Sequence, residues 1–159
     1  ADRKRIIRAL EVYQETGKTI TQHNLDSQAM PPKYQALWLG LTFSDRAMLY
    51  DRIDRRVDQM VAQGLVEEIQ GLLAAGVPAG ATSLQAIGYK EPIAALRGEL
   101  SLEEAWETVK RESRRYAKRQ LTWLRRNAAI RWIVQEAPLD FARTLEAARE
   151  ILRGDGVAL

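Results

Sequence analysis

Ser101-Leu102-Glu103-Glu104 is a capping box, and the amphipathic run it opens continues to about Arg126. A helix of that extent is roughly 35 Å long, about the width of a small domain. A chain of 159 residues has to be built around such an element. Most of what flanks it reads as shorter helices. From Arg3 to Thr16, apolar residues fall at Ile6, Ile7, Leu10 and Tyr13, the spacing of one helix face, and Gly17 sits where a left-handed terminator belongs.

Residues 17–35 are polar and contain Met30-Pro31-Pro32, which predicts a loop. Ala36 to Phe43 is a short apolar run suited to a buried strand. Ser44 is placed to cap a helix carrying Leu49, Ile53, Val57, Met60 and Val61 as far as Gly64. A short helix follows from Leu65 to Ala75, then a loop over 77–82 with Pro78 and Gly80. Ser83 to Arg97 reads as a helical turn, a pause at Gly88, and a helix with Ile93 and Leu96. Ile130–Val134 is a second candidate strand, and Pro138 and Asp140 start a last amphipathic helix carrying Phe141, Leu145, Ala148, Ile151 and Leu152. The fold class predicted for this chain is mainly α with one or two short strands. The two strands are expected to be isolated from each other, with partners elsewhere in a larger molecule. The opening Ala-Asp, with no initiator Met, carries the same expectation.

The formal charge of +3 is too small to indicate a partner, so the placement of the charge matters more. Eight of the seventeen residues from Lys110 to Arg126 are basic and one is acidic. On a helix Arg111, Arg114, Lys118 and Arg125 form one stripe, and Arg115, Arg119 and Arg126 the next. Like charges at this spacing oppose one another, so an uncompensated stripe suits a polyanion such as RNA. Tyr116 and Trp123 are interleaved and suit stacking on unpaired bases. The alternative is a solvated helix whose aromatics belong to the core. Arg3, Lys4, Arg5 and Arg8 make a second basic cluster, which a solvated helix end explains equally well.

Residues 51–58, Asp-Arg-Ile-Asp-Arg-Arg-Val-Asp, alternate in sign. Surface salt bridges one turn apart explain that pattern, and so does an arginine turned toward a diphosphate, whose oxygens its planar fork matches. Around Gly88-Tyr89-Lys90, a glycine would let backbone approach a ligand, or simply let two helices pack closely.

Other signals fail. Gly17-Lys18-Thr19 mimics the end of a phosphate loop, but Val12 stands where its first glycine is required. A stand-alone P-loop kinase is thereby excluded. His23 is the sole histidine, so paired-histidine catalysis and multi-histidine metal sites are ruled out, and Glu67-Glu68 reads as a solvated face. Cysteine is absent, which removes disulfides and thiolate metal sites and fits a reducing cytoplasm. No apolar run approaches the ~20 residues that a membrane helix needs.

Four segments in order resemble one family. They are Arg8-Ala9-Leu10-Glu11-Val12-Tyr13 with Thr16-Gly17-Lys18; Arg52-Ile53, Arg56-Val57-Asp58-Gln59-Met60 and Gly64 to Glu68; Gln85 to Glu91; and Tyr116 to Trp123. Together they resemble the tRNA dimethylallyltransferases, in their C-terminal half, with little signal in the final ~30 residues. The resemblance implies transfer of a dimethylallyl group from its diphosphate to N6 of adenosine 37, in the tRNA anticodon stem-loop, in the cytoplasm. It implies diphosphate binding by Arg56. It implies tRNA contacts from Lys4, Arg5, Ile6, Ile7 and Arg8; from Gln85, Ala86, Ile87, Gly88, Tyr89 and Lys90; and from Lys118, Arg119, Gln120, Leu121, Thr122, Trp123, Leu124 and Arg125. Residues 1–17, 36–97 and 101–152 are then three portions of one part of the transferase. The family's α/β P-loop domain, with its N-terminal sheet, Mg²⁺ site and catalytic base, is expected outside this chain, and the chain by itself is expected to be inactive. The alternative function is a non-enzymatic helical RNA-binding module.

Overall fold

The computed structural model describes residues 2–157, which divide into two compact units at the junction of Ala36 and Leu37. In the first, α1 (Arg3–Thr16) is capped by the Asp2 carboxylate, which accepts from the Arg5 N–H. Gly17 ends it at φ 68°, donating its N–H to the Tyr13 carbonyl. That left-handed conformation is open to glycine and costly to most other residues.

A second helix, α2 (Ile20–Ala29), replaces the loop expected over 17–35. Its apolar residues have no helical period, so the pattern that marks α1 is missing. Polar contacts hold it instead. Thr19 caps it by accepting from the Gln22 N–H. Asp26 takes Lys18 Nζ at 2.7 Å and Gln22 Nε2 at 2.8 Å, and Thr16 Oγ1 lies 2.9 Å from His23 Nε2.

In the second unit, β1 (Trp38–Phe43) leads into α3 (Arg46–Ala62) and α4 (Leu65–Ala74). A 3-10 turn at Thr82–Gln85 and α5 (Lys90–Leu96) follow, then α6 (Leu102–Leu124), β2 (Ile130–Gln135) and α7 (Phe141–Gly154). The capping box of α6 forms as predicted, Ser101 and Glu104 each accepting from the other's backbone N–H. Helix α3 is capped by Asp45, one residue later than expected, through the Ala47 N–H.

The strands are not isolated. They pair with each other in parallel, Trp38 opposite Ile130 through Phe43 opposite Gln135. The apolar run predicts a buried strand, yet Trp38, Leu39 and Leu41 of β1 are exposed, and such a run says nothing of which strand it joins. Gly40 is required by this pairing. A Cβ there would lie 2.7 Å from Ile130 Cγ2 and 2.8 Å from the Trp132 ring.

Leu65, Ile69, Leu84 and Ile93 form one core cluster, with Met60, Tyr89 and Trp106 packed against it. Each such side chain contributes about 1.5–3 kcal/mol on burial. Val57 of α3 and Ala105 and Val109 of α6 are also buried. Helix α7 lies against β2, where Gln135 Nε2 donates to Thr144 Oγ1 at 3.1 Å.

Candidate functional site

The charged residues of α3 separate by direction. Asp51 pairs with Arg55 one turn along the same helix. Asp54 and Asp58 turn instead toward α6, where Asp54 accepts from Arg114 at 2.5 and 2.7 Å and Asp58 from Lys110 at 2.8 Å. The Lys110 side chain is only 16% exposed, and its hydrogen bond to Asp58 raises its pKa above the usual lysine range. Intrahelical salt bridges thus account for one pair of the alternating segment. Among the described residues, no carboxylate lies within 4.0 Å of Arg52 or Arg56.

Arg52 and Arg56 line a cavity of about 670 Å³, together with Asp51, Arg55 and Gln59 of the same helix. Phe43 and Met48, both half-buried, form part of an apolar wall that Ala137, Pro138 and Leu139 complete from the β2–α7 connection. The site therefore combines two unneutralised guanidinium groups with a hydrophobic side. Arg56 is the residue singled out by resemblance. Arg52 carried no role, although its place one helical turn earlier is the signal that points to it.

The basic stripe of α6 is largely compensated over its first half, where one glutamate serves two of its arginines. Lys110 and Arg114 are taken up by α3, while Arg111 and Arg115 pair with Glu112 at 3.7 and 2.7 Å. Lys118, Arg119, Arg125 and Arg126 have no such partner among the described residues. Trp123 is 68% exposed and Tyr116 56%, so neither aromatic belongs to the core. The Arg119 guanidinium sits 5.8 Å from the centroid of the Tyr116 ring. Gln120 and Thr122 are exposed, whereas Leu121 and Leu124 are half-buried.

Lys118, Leu121, Thr122 and Arg125 also line a second cavity of about 210 Å³, with Thr42, Ser44, Arg46 and Tyr50. Phe43 borders both cavities. The uncompensated end of α6 and the arginine pair of α3 therefore open onto neighbouring spaces at the C-terminal end of β1.

The Gly-Tyr-Lys segment is held from within. Gly88, at φ 95°, donates its N–H to Glu91 Oε2 at 2.9 Å, and Glu91 is only 7% exposed. Lys90 Nζ stands 3.8 Å from Glu91 Oε1. The Tyr89 hydroxyl donates to Glu68 Oε1 at 2.6 Å, a bond that raises the Tyr89 pKa. Gln85, Ala86 and Lys90 are exposed, Ile87 and Tyr89 half-buried, and Gly88 buried. In the first unit, Lys4, Arg5, Ile6, Ile7 and Arg8 are all exposed on α1, with Arg5 paired to Asp2 and Arg8 to Glu11.

Among the described residues, no group of three or more histidine, aspartate and glutamate side chains converges as a metal ion requires. These residues do not by themselves fit the Mg²⁺ site that the resemblance implies. No helix among them is long and apolar enough to cross a membrane.

Residues 1–127 match the family model described as IPP transferase. The tRNA dimethylallyltransferase of Thermoanaerobacter sp. (strain X514) is 45% identical over 153 residues, covering 96% of this chain and 48% of that protein. That of Carboxydothermus hydrogenoformans is 49% identical over 131 residues, covering 82% and 42%. Among solved structures, the full-length tRNA isopentenylpyrophosphate transferase of Bacillus halodurans superimposes with a TM-score of 0.72 at 42% identity. It covers 96% of this chain and 45% of that one. The chain spans about half the length of the curated relatives it matches.

Proposed function

This chain belongs to the IPP transferase family, and from that membership we propose that it holds the prenyl diphosphate and the tRNA in a tRNA dimethylallyltransferase. The observation that carries this reading is the adjacency of two unneutralised cationic groups. Arg52 and Arg56 face one cavity, Lys118 and Arg125 the next, and Phe43 borders both. A group transfer between two anionic substrates needs such neighbouring sites, one for the diphosphate and one for the RNA backbone.

In the proposed reaction, N6 of adenosine 37 attacks C1 of the dimethylallyl group while the C1–O bond breaks. The bonding pair leaves with the diphosphate, whose growing charge a preorganised arginine stabilises. That role is assigned to Arg56. The adenine has to leave the stacked loop for its amine to reach the electrophilic carbon, and exposed Trp123 is suited to stack on a base displaced nearby. Contacts from residues 4–8, 85–90 and 118–125 are assigned to tRNA. Within them, the exposed Lys118, Arg119, Trp123 and Arg125 contribute directly, while Leu121, Leu124 and Gly88 hold the surface in place.

The base that takes the N6 proton, and the Mg²⁺ ion, are assigned to the half of the relatives that lies outside the matched length. The two-stranded sheet is assigned to a larger α/β P-loop-like fold. Exposure of Leu41 and Val134, one on each strand, supports that placement. A protein acting on tRNA in this way is assigned to the cytoplasm, and the 159-residue chain alone is expected not to turn over.

The reading is tested by incubating the full-length protein with tRNA and labelled dimethylallyl diphosphate, then digesting the RNA and identifying the nucleosides by mass spectrometry. Dimethylallyl-adenosine from position 37 is the expected product. RNA binding with no prenylated nucleoside would favour the non-enzymatic RNA-binding module. That alternative leaves the paired, unneutralised arginines of α3 without a purpose.

A further inference from the structure

We propose that Arg52 is a second diphosphate ligand, forming with Arg56 a two-guanidinium clamp, while Phe43 and Met48 take the hydrocarbon end of the same donor molecule. This rests on the transferase reading above and extends it by one binding residue and an apolar subsite.

The first argument is position. Arg52 and Arg56 are four residues apart on α3, so their side chains leave the same face of the helix, and both line the 670 Å³ cavity. The second is charge. Two like charges at this spacing repel, and the usual relief is a carboxylate on the same or a facing helix. Three aspartates lie in the segment, yet each is paired with another cation: Asp51 with Arg55 at the same cavity, Asp54 with Arg114 and Asp58 with Lys110. The arrangement keeps two cations together and withholds their counterions, which suits a ligand carrying more than one negative charge.

A diphosphate meets that description. One guanidinium forks onto two oxygens and leaves the other phosphate of the pair unserved, whereas two guanidinium groups one turn apart can each serve one phosphate. The cavity volume lies within the usual range for small-molecule sites, roughly 300–1,000 Å³. Its apolar side answers the other half of the molecule. Half-buried Phe43 and Met48 offer a hydrophobic wall to the five-carbon group, which a bare phosphate or an RNA backbone would not use.

The test is steady-state kinetics on the full-length protein, varying dimethylallyl diphosphate at saturating tRNA, with inorganic pyrophosphate as competing inhibitor. Arg52→Ala should raise both the KM for dimethylallyl diphosphate and the Ki for pyrophosphate about tenfold, as removal of a charge-assisted hydrogen bond implies, with the KM for tRNA unchanged. Arg52→Lys should recover part of the effect, and Arg149→Ala, on α7, should change nothing. Met48→Ala should raise the KM for dimethylallyl diphosphate and leave the Ki of pyrophosphate alone. Circular dichroism melts confirm that each variant is folded, and Arg52→Gln replaces Arg52→Ala if that variant is not.

An unchanged pyrophosphate Ki in folded Arg52 variants, with a raised one in Arg56→Ala, would overturn the clamp and leave the transferase reading standing. A change confined to the KM for tRNA would equally overturn it, placing Arg52 on the RNA. Indifference of both arginines to pyrophosphate would instead sink the diphosphate assignment of the whole cavity.

Discussion

Arg114 Nη1 donates to both carboxylate oxygens of Asp54, at 2.5 and 2.7 Å, across 60 residues of sequence. This ion pair joins the helix of the arginine pair to the helix of the proposed RNA surface. It also removes one cation from the basic stripe and one anion from the alternating segment. Together with Lys110–Asp58, it leaves uncompensated charge at Arg52 and Arg56 on one helix and over the last turns of the other.

Removing either partner leaves the other charge half-buried and unpaired. Asp54→Ala or Arg114→Ala should lower the unfolding free energy by about 1–3 kcal/mol. Urea titrations should show an earlier midpoint at unchanged slope. The double variant should be destabilised clearly less than the sum of the two single variants, since the side chains touch directly. Strict additivity would show that the ion pair carries no coupling.

Gly40→Ala tests the strand pairing. Its Cβ would meet Ile130 and the Trp132 ring at distances that real Cβ atoms do not adopt, and two side chains would have to move. Overpacking of this kind costs about 1–3 kcal/mol. A thermal melt should show the destabilisation, and Gly40→Ala combined with Trp132→Leu should recover part of it. A Gly40→Ala protein as stable as the parent would mean that the strands do not pair in this register.

What the sequence made legible follows from what is local. The capping box of α6, the glycine ending α1 and the apolar stripe of α3 each depend on a few neighbouring residues, and each element is found where its pattern lies. Helix α2 escaped because Asp26, Lys18 and Gln22 stabilise it through polar contacts with no hydrophobic period. The pairing of β1 with β2 escaped because register between strands some 90 residues apart is a property of the packed unit. The same holds for charge. Counting basic residues on α6 finds the stripe, but only the facing helix shows which of them are already neutralised.

The capping box makes stability at the start of α6 depend on acid. The Ser101 N–H and hydroxyl, both bonded to the exposed Glu104, hold its carboxyl below the ordinary glutamate range. A group whose folded pKa is depressed contributes stability that is present above its unfolded pKa and lost as pH falls through the folded one. Amide hydrogen exchange at Leu102–Ala105 should therefore speed up, relative to the middle of α6, below the ordinary glutamate range. Glu104→Gln should remove that pH dependence. A profile identical in both proteins would mean that the carboxylate does not stabilise the helix start.

Salt dependence separates the two halves of α6. Taking away one cation that touches a phosphate lowers the slope of log affinity against log salt by about one. Lys118→Ala, Arg119→Ala and Arg125→Ala should each weaken binding of an anticodon stem-loop by the full-length protein and each flatten that slope by about one. Arg111→Ala and Arg115→Ala should each flatten it by clearly less, because those two side chains share the Glu112 carboxylate. Trp123→Ala should weaken binding without altering the slope, since stacking releases no counterions. Equal flattening from both halves would mean that the Glu112 pairs open for RNA and that the whole stripe meets phosphate. No flattening from any variant would place the RNA on another surface.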